Sequence, residues 1–298
     1  MARTKLVERT IALAIVALTC RQFVQYLGIE CVNECSIQNF LRDIGRISIY
    51  KEEHANGDVR FAWPALFRHK ISSDRVCFII MAYSMRSSLH YAQRRSFLRQ
   101  FKHVYAFADE PDGIFIKTLE SIRGKDTYRD AQHRQLRGSQ WLVRAHPNIT
   151  SQCSFFAFID DDTWLNVEYF LRILYEVEKI QVEGNFSRLA LGFAYDMSQL
   201  NGGGAIVVSA DLFKVMVPLF YTPDCPFEKA NDVTITNCAK SLNATVFHSN
   251  LFSFYSRTEH LRASVFGDRI SLHPVKDPED MLHFSSEIQR VLRETRAV

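Results

Sequence analysis

The stretch FFAFIDDD, residues 155–162, joins an apolar run of strand length to three consecutive carboxylates. Five apolar residues in a row indicate a strand that is covered on both faces, as in a parallel sheet between layers of helices. Ligands of open α/β sheets bind outside the carboxyl ends of the strands. We therefore predict an α/β fold whose functional site includes Asp160, Asp161 and Asp162.

Strand and helix patterns alternate on both sides of this stretch. The predicted strands are 76–82, 104–108, 155–159, 189–194, 205–209, 245–248 and 270–273, and the predicted helices are 87–101, 126–145, 167–180 and a segment from 231 toward 242. Strand, helix and strand in succession form a parallel unit. No internal repeat or low-complexity segment interrupts the pattern, so we expect one domain over residues 71–298.

Composition sets the broad class of protein. The chain has 298 residues, of which 47% are hydrophobic and 23% charged, so it is too rich in core-forming residues to be disordered or fibrous. Its 36 basic and 33 acidic residues leave a small positive excess. Because no basic stripe is interleaved with aromatic residues, we predict no nucleic-acid partner.

The N-terminal segment has the pattern of a targeting sequence. Arg3, Lys5 and Arg9 precede an apolar run that begins at Ile11 and continues less cleanly to Ile29. A signal anchor and a cleavable signal peptide both fit this pattern. As an anchor, residues 11–29 would follow a short cytoplasmic tail, residues 1–10, and would leave the rest of the chain lumenal. The mixed, polar residues 30–70 are interpreted as a stem.

Glycosylation motifs and cysteines also favour the secretory pathway. Three sequons begin at Asn148, Asn185 and Asn243, although chance supplies roughly one or two in a chain of this size. Of the seven cysteines, Cys225 and Cys238 flank a turn-rich stretch that a disulfide would close in an oxidising compartment.

The three carboxylates that follow the strand are candidates for binding a divalent cation. Clustered carboxylates repel one another unless a cation or protons neutralise them. Their hard oxygen atoms suit magnesium or manganese, which often hold a substrate diphosphate. The alternative is an acidic loop that caps the helix after Thr163.

Three further features carry candidate site residues. Asn201-Gly202-Gly203-Gly204 precedes a strand, and its glycines either let the backbone approach a ligand closely or form a plain turn. Asp232 opens a helix, where it is either a general base or a helix cap. His273 ends the last predicted strand, and on residue type alone an isolated histidine is more often structural.

The order of these pieces resembles the family of beta-1,3-glycosyltransferases that includes fringe and the beta-1,3-galactosyltransferases. The resemblance covers roughly residues 76–281. It rests on FIDDDTWLN, residues 158–166; on the Gly202–Ala205 segment; on Asp232-Val233 with Cys238; on ISLH, residues 270–273; on residues 126–141 before the aspartates; and on the arginine-containing segment of residues 94–101.

The resemblance implies a glycosyltransferase-A fold, with a Rossmann-like mixed sheet flanked by helices, an N-terminal membrane anchor and a stem. It also implies roles for single residues. Asp160, Asp162 and His273 would hold Mn²⁺, with Asp161 beside the donor, and Asp232 would be the catalytic base. Arg94 or Arg95, Asp109 and Arg134 would lie near the nucleotide, and Gly203 and Gly204 beside the transferred sugar.

These implications predict a single-pass type II protein of the Golgi or endoplasmic reticulum membrane. It would transfer a hexose or N-acetylhexosamine from a UDP-sugar to a glycan or glycoprotein hydroxyl, in beta-1,3 linkage and with inversion. The sequence names neither the donor sugar nor the acceptor.

Two positions depart from the pattern of the resembled family, because its members often have an acidic residue where this chain has Asn231 and a tryptophan where it has Phe101. The rival hypotheses are an inactive lumenal carbohydrate-binding or chaperone-like protein and a metal-dependent phosphohydrolase.

Overall fold

The computed structural model describes residues 50–53, 59–62, 69–110, 116–117, 127–194, 199–249, 252 and 270–296. The predicted cytoplasmic tail and targeting segment, residues 1–29, lie outside this range. Two short strands, β1 (Tyr50–Glu53) and β2 (Val59–Ala62), form an antiparallel pair within the segment interpreted as a stem. No helix in the described ranges is both long enough and apolar enough to cross a membrane.

The fold is built around a mixed sheet of seven strands flanked by helices, with the strand order β10-β8-β9-β6-β3-β4-β5. Its strands are β3 (Val76–Met81), β4 (His103–Ala108), β5 (Ile116–Lys117), β6 (Phe155–Asp160), β8 (Leu189–Ala194), β9 (Leu200–Ser209) and β10 (Thr245–His248). A separate antiparallel pair consists of β7 (Trp164–Leu165) and β11 (Ser271–Leu272). This architecture is compatible with the predicted Rossmann-like fold.

The helices connect these strands and cover both faces of the sheet. They are α1 (Ser87–Arg95), α2 (Tyr128–Ala145), α3 (Ile149–Gln152), α4 (Val167–Gly184), α5 (Ala210–Met216), α6 (Asn231–Ser241) and α7 (Pro278–Arg296). Local sequence sets several of their ends. Thr127 and Asp130 form a capping box at the start of α2, and the Asn166 side chain accepts a hydrogen bond from the first turn of α4.

Strand direction gives the sheet two chemically different edges. Strand β9 is antiparallel to both β6 and β8, whereas the other six strands run in one direction. We call the side where these six strands end the carboxyl edge, and the side where they begin the amino edge. For these six strands, connections from a preceding helix therefore lie at the amino edge and connections to a following helix at the carboxyl edge, whereas β9 ends at the amino edge, where α5 begins.

Apolar side chains fill the space between the sheet and the helices on both faces. Every residue of β3 and β6 is buried, as their continuous apolar runs predicted. On one face Phe78 contacts Phe101 and Phe170, and on the other Phe156 stacks on Phe213 with ring centroids 3.7 Å apart. Two covered faces hold the central strands rigidly, which fixes the positions of the residues at their ends.

Several predicted boundaries were wrong. The helix predicted for residues 87–101 ends at Arg95 and is followed by a separate 3-10 turn, Phe97–Gln100. The glycine run is not a turn before a strand but part of β9, with a register shift opposite it and a positive φ of 85° at Ala205. Because glycine is a weak strand former, local propensity concealed the first half of this strand.

The C-terminal part also differs from the prediction. Residues 270–273 contribute only the two-residue strand β11, which pairs with β7 rather than with the main sheet. Helix α7 was not predicted. The helix is held by tertiary contacts such as that between Phe284 and the Trp164 ring, and Trp164 Nε1 donates to Ser285 Oγ at 2.9 Å.

Cys225 and Cys238 form a disulfide across 13 positions of the chain, and both cysteines are buried. The bridge ties the loop after β9 and α5 to helix α6, which begins with the candidate base Asp232. Cys77 and Cys153 are also buried but are not bridged. The disulfide therefore constrains the approach to one part of the candidate site.

Replacing both Cys225 and Cys238 by Ala should lower the free energy of unfolding by about 3 kcal/mol, because a closed loop of this length restricts the unfolded chain. Urea unfolding under non-reducing conditions measures the loss. Cys153→Ala is the control, since it removes a buried thiol without opening a loop. If reduction of the wild-type chain left its stability unchanged, the structural role of this disulfide would be contradicted.

Candidate active site

A buried group of two aspartates and one histidine lies at the carboxyl edge. Asp160 ends β6, Asp162 follows two residues later, and His273 comes directly after β11. The His273 Nε2 atom lies 3.0 Å from Asp162 Oδ1 and 3.5 Å from Asp160 Oδ2. The β7–β11 pairing brings the histidine here, because it fixes the chain before His273 beside the chain that follows the aspartates.

The donor set of this group fits a divalent metal ion. One ligand atom from each of the three residues lies within 4.8 Å of the others. Asp162 Oδ1 is buried, and no donor in the described ranges meets it in hydrogen-bonding geometry, although His273 Nε2 is close. Two carboxylates and one imidazole can hold Mg²⁺, Mn²⁺ or another divalent ion, and the identity of the metal is not shown.

The three ligand candidates form a coupled set of charges. Burial raises the pKa of the Asp160 carboxyl above its usual range. Burial also favours a neutral His273, but the close contacts with the Asp160 and Asp162 carboxylates outweigh it and raise the pKa of His273 to about 10. The protonated imidazole and Arg86 in turn hold the pKa of Asp162 below its usual value despite burial. The protonated His273 and Arg86 thus partly balance the negative charge that the site concentrates.

Asp161, the middle carboxylate, faces a different set of partners from its neighbours. Its Oδ2 accepts from the Tyr83 backbone N–H at 3.0 Å, and its Oδ1 lies 3.2 Å from Arg86 Nη1. Arg86 Nη1 also contacts Asp162 Oδ2 at 3.1 Å, and its guanidinium lies 5.0 Å from the centroid of the Tyr83 ring. Burial and the neighbouring Asp162 raise the pKa of Asp161 to about 7. Arg86 is therefore a half-exposed cation placed directly on the acidic cluster.

The glycine run of β9 forms one wall of the site at very close range. A Cβ atom on Gly203 would lie 2.4 Å from the His273 ring, and one on Gly202 would lie 3.3 Å from Asp232 Cβ. The carbonyl oxygens of Gly203 and Gly204 accept hydrogen bonds from Thr163 Oγ1, at 2.8 Å, and Ser271 Oγ. Glycine is required at position 203, because any side chain there would displace the His273 ring.

Asp232, the candidate base, adjoins Gly202 in the same wall. Its Oδ2 accepts from the Gly202 N–H at 3.2 Å, and its Oδ1 accepts from the Val233 N–H at 2.8 Å. Burial raises its pKa, although these two backbone hydrogen bonds oppose the shift. The alternative prediction that Asp232 caps this helix was wrong, because Ala230 is the N-cap and no side chain caps the helix. The bond to Gly202 joins the carboxylate to the wall that also contacts His273.

Asn231, the departure from the acidic residue of the resembled family, has a specific hydrogen-bond partner. The Gln135 Nε2 group donates to the carbonyl oxygens of Ile79 and Ile159 at 2.9 and 3.1 Å. Gln135 Oε1 is therefore left to accept from Asn231 Nδ2, which also approaches Met81 Sδ. Both amides are buried. A carboxylate at position 231 would face another acceptor, Gln135 Oε1. Gln135 of helix α2 therefore favours an amide over a carboxylate at this position.

Asn231→Asp should lower the free energy of unfolding at neutral pH by about 1–3 kcal/mol, because a buried donor is replaced by a second acceptor. Burial would raise the pKa of the new carboxyl in the folded state. The loss of stability is therefore expected at pH values above that pKa. As the pH falls through it, the protonated carboxyl can donate to Gln135 Oε1 and stability should recover. Urea unfolding across pH 4–8 measures both effects.

Asn237→Asp is the matched control, because Asn237 lies on the same helix but donates to Glu228 at an exposed position. It should change stability by less than about 0.5 kcal/mol. Equal losses in the two variants would contradict the role given to the Gln135 contact.

The residues predicted to lie near the nucleotide fall into two groups. Asp109 follows β4 at the carboxyl edge, where Ser84 donates to it through both backbone N–H and hydroxyl, and these bonds lower its pKa despite burial. The buried Arg134 donates to the Ala82 carbonyl and lies behind the Tyr83 ring. Arg94 and Arg95 are exposed at the end of α1, and Arg95 lines a cavity of about 440 Å³ with Trp164. Their nucleotide role stays a prediction.

Sequence reasoning missed Arg86 and Gln135. Arg86 follows β3, and the rule that singled out the end of β6 also applies to the end of its neighbour, so a signal for Arg86 was present. Gln135 carried no such signal, because a glutamine within a helix is ordinarily exposed. Its role depends on burial against the ends of two strands.

Neither of two sequence comparisons identifies a relative of this chain: no protein-family model matches it, and a search of curated proteins finds no significant match.

Proposed function

We propose that this chain is an inverting, metal-dependent glycosyltransferase with a glycosyltransferase-A fold, similar to the beta-1,3-glycosyltransferases of the fringe and galactosyltransferase type. It would move a hexose or N-acetylhexosamine from a UDP-sugar to a glycan hydroxyl. The observation that carries the proposal is the pair of contacts made by consecutive glycines. Gly203 adjoins the metal-ligand candidate His273, and Gly202 adjoins the base candidate Asp232.

In this proposal, the Asp160, Asp162 and His273 side chains hold Mn²⁺ against the donor diphosphate. The bound metal would neutralise the negative charge that develops on the UDP leaving group. Asp161 contacts Arg86 and the Tyr83 backbone, and these contacts would hold a cation and a backbone loop beside the donor. Arg134 and Asp109 position the same loop from behind.

Asp232 has the placement expected of a general base. An acceptor alcohol is a poor nucleophile until its proton is removed, and a carboxylate with a raised pKa is a better proton acceptor than an ordinary one. One base and one displacement invert the anomeric configuration, without the covalent intermediate that retaining glycosidases form. The Gly202–Gly204 backbone would approach the sugar because no side chains intervene.

The proposed location follows from the sequence alone. Residues 11–29 would anchor the chain in the Golgi or endoplasmic reticulum membrane, residues 30–70 would form the stem, and the domain of residues 71–298 would be lumenal. The disulfide supports this location, because such bonds persist in oxidising compartments.

A panel of UDP-sugars, each with and without Mn²⁺, tests the proposal on the full-length chain. A ligand that binds only the folded state raises the melting temperature, so one UDP-sugar should do so in the presence of metal. The same donor should then yield a transferred sugar with oligosaccharide acceptors. Metal-dependent binding without product would favour the inactive carbohydrate-binding protein, and metal-dependent release of phosphate from simple phosphoesters would favour the phosphohydrolase.

A further inference from the structure

The three sequons share one position in the fold, although they are far apart in sequence. Asn148 lies between α2 and β6, Asn185 between α4 and β8, and Asn243 between α6 and β10. Each is thus in a helix-to-strand connection before a strand of the parallel set. All three therefore lie at the amino edge, on the side of the sheet opposite the acidic cluster.

Contacts in the described structure agree with this placement. Asn148 lines a cavity of about 430 Å³ with His103, the first residue of β4. Asn185 lines another, of about 500 Å³, with Phe155, the first residue of β6. Thr245, the last residue of the third sequon, donates its backbone N–H to Arg188, directly before β8. All three asparagines are exposed, and open space adjoins two of them.

The asparagine and hydroxyl side chains of the sequons make no hydrogen bond among the residues that the structure describes, whereas the intervening Ile149 is part of the core. Asn148 begins α3 without a capping hydrogen bond from its side chain. Asn185 and Asn243 have φ angles of 52° and 54°, a conformation that asparagine tolerates, which explains an asparagine at these positions. It does not explain the hydroxyl residues two positions later. The hydroxyls of Thr150, Ser187 and Thr245 make no hydrogen bond within the described ranges.

We infer that Asn148, Asn185 and Asn243 carry N-linked glycans, which coat the amino edge and leave the carboxyl edge open. The inference rests on the lumenal location proposed above. In the modification, the asparagine Nδ2 forms a bond to the anomeric carbon of a lipid-diphosphate oligosaccharide. The bond from that carbon to the diphosphate oxygen breaks, the lipid diphosphate leaves, and the amide loses one proton.

Peptide mass spectrometry of the full-length chain from secretory eukaryotic cells tests the inference. An amidase that releases N-glycans converts each modified Asn to Asp, so all three peptides should gain the corresponding mass. Thr150→Ala, Ser187→Ala and Thr245→Ala should each remove one glycan while leaving the asparagine and its backbone conformation in place. Thr150→Ser and Thr245→Ser should keep theirs. An unmodified asparagine in the wild-type chain contradicts the inference at that position.

A new sequon at the opposite edge tests the placement. Met85 is 87% exposed and lies beside Arg86, and Met85→Asn creates an Asn-Arg-Ser tripeptide with Ser87. A glycan there should abolish metal-dependent protection by a UDP-sugar, whereas the combination Met85→Asn with Ser87→Ala should retain it. Enzymatic removal of the three native glycans should leave this protection unchanged. Loss of protection on removing them, or full protection with a glycan at position 85, would overturn the assignment of the two edges.

Discussion

Asp162→Asn should remove the stabilisation of the chain by Mn²⁺ and a UDP-sugar. Asp162 Oδ1 is a buried carboxylate oxygen that meets no hydrogen-bond donor in the part of the chain that the structure describes and lies 3.0 Å from His273 Nε2. An amide is a much weaker metal ligand than a carboxylate. At 100 times the dissociation constant, ligand binding stabilises the wild-type chain by about 2.7 kcal/mol. For a domain of this size, that corresponds to a rise in melting temperature of roughly 5–10 °C. The variant should show no such rise and no transfer.

Asp211→Asn is the matched control, because Asp211 is an exposed aspartate in the first turn of α5 at the amino edge. It should keep the full response to metal and donor. Circular dichroism of the Asp162 variant separates loss of the site from loss of the fold. A folded Asp162→Asn chain that still gains stability from Mn²⁺ and transfers sugar would contradict the proposed metal centre.

Asp232→Asn should lower the rate of sugar transfer by about 10²–10⁴-fold, which is the usual contribution of a general base. Metal-dependent donor binding should persist, because Asp232 is not among the three ligand candidates. The two measurements together distinguish a base from a carboxylate that only holds Gly202 and Val233 in place. A purely structural carboxylate would affect the melting temperature and leave the rate constant for bound substrates largely intact. Single-turnover product formation at saturating donor measures that rate constant directly.

Loss of one hydrogen bond is expected in this variant as well. The amide can accept from either Gly202 or Val233, but not from both, so stability should fall by about 1–2 kcal/mol. Ser209→Ala is the control for this effect, since its hydroxyl accepts from Leu189 and Leu212 and donates to the Ser187 carbonyl, so it should lower stability but leave the transfer rate unchanged. If Asp232→Asn transferred sugar at the wild-type rate, the role of Asp232 would be structural only.

Much of the fold could be predicted because hydrophobic pattern is local. The continuous apolar runs of β3 and β6 predicted strands that are covered on both faces, and every residue of both strands is buried. Strand β9 was predicted too short and helix α7 was missed, for opposite reasons. The glycines of β9 have poor strand propensity and are held by neighbouring strands. Helix α7 depends on contacts with Trp164 and its surroundings that local pattern does not reveal.

For the candidate site, residue types could be selected by position relative to predicted strands. Asp160, Asp161 and Asp162 were chosen in this way, Asp232 because it opens a predicted helix, and His273 because of its place in the order of motifs. The residues that contact these side chains were harder to predict. Arg86 contacts the aspartates because it closely follows β3, which is adjacent to β6 in the sheet, whereas Arg94 and Arg95 are exposed.

The sequence by itself determined the α/β class, the carboxylates at the end of β6 and the cysteines that pair, since each depends on short-range pattern or on residue type. Only the tertiary structure brought His273 to Asp162, joined Gln135 to Asn231 and placed the three sequons on one edge. These relations link residues far apart along the chain. Sheet order and strand direction decide them, and both are set by the packing of the whole domain.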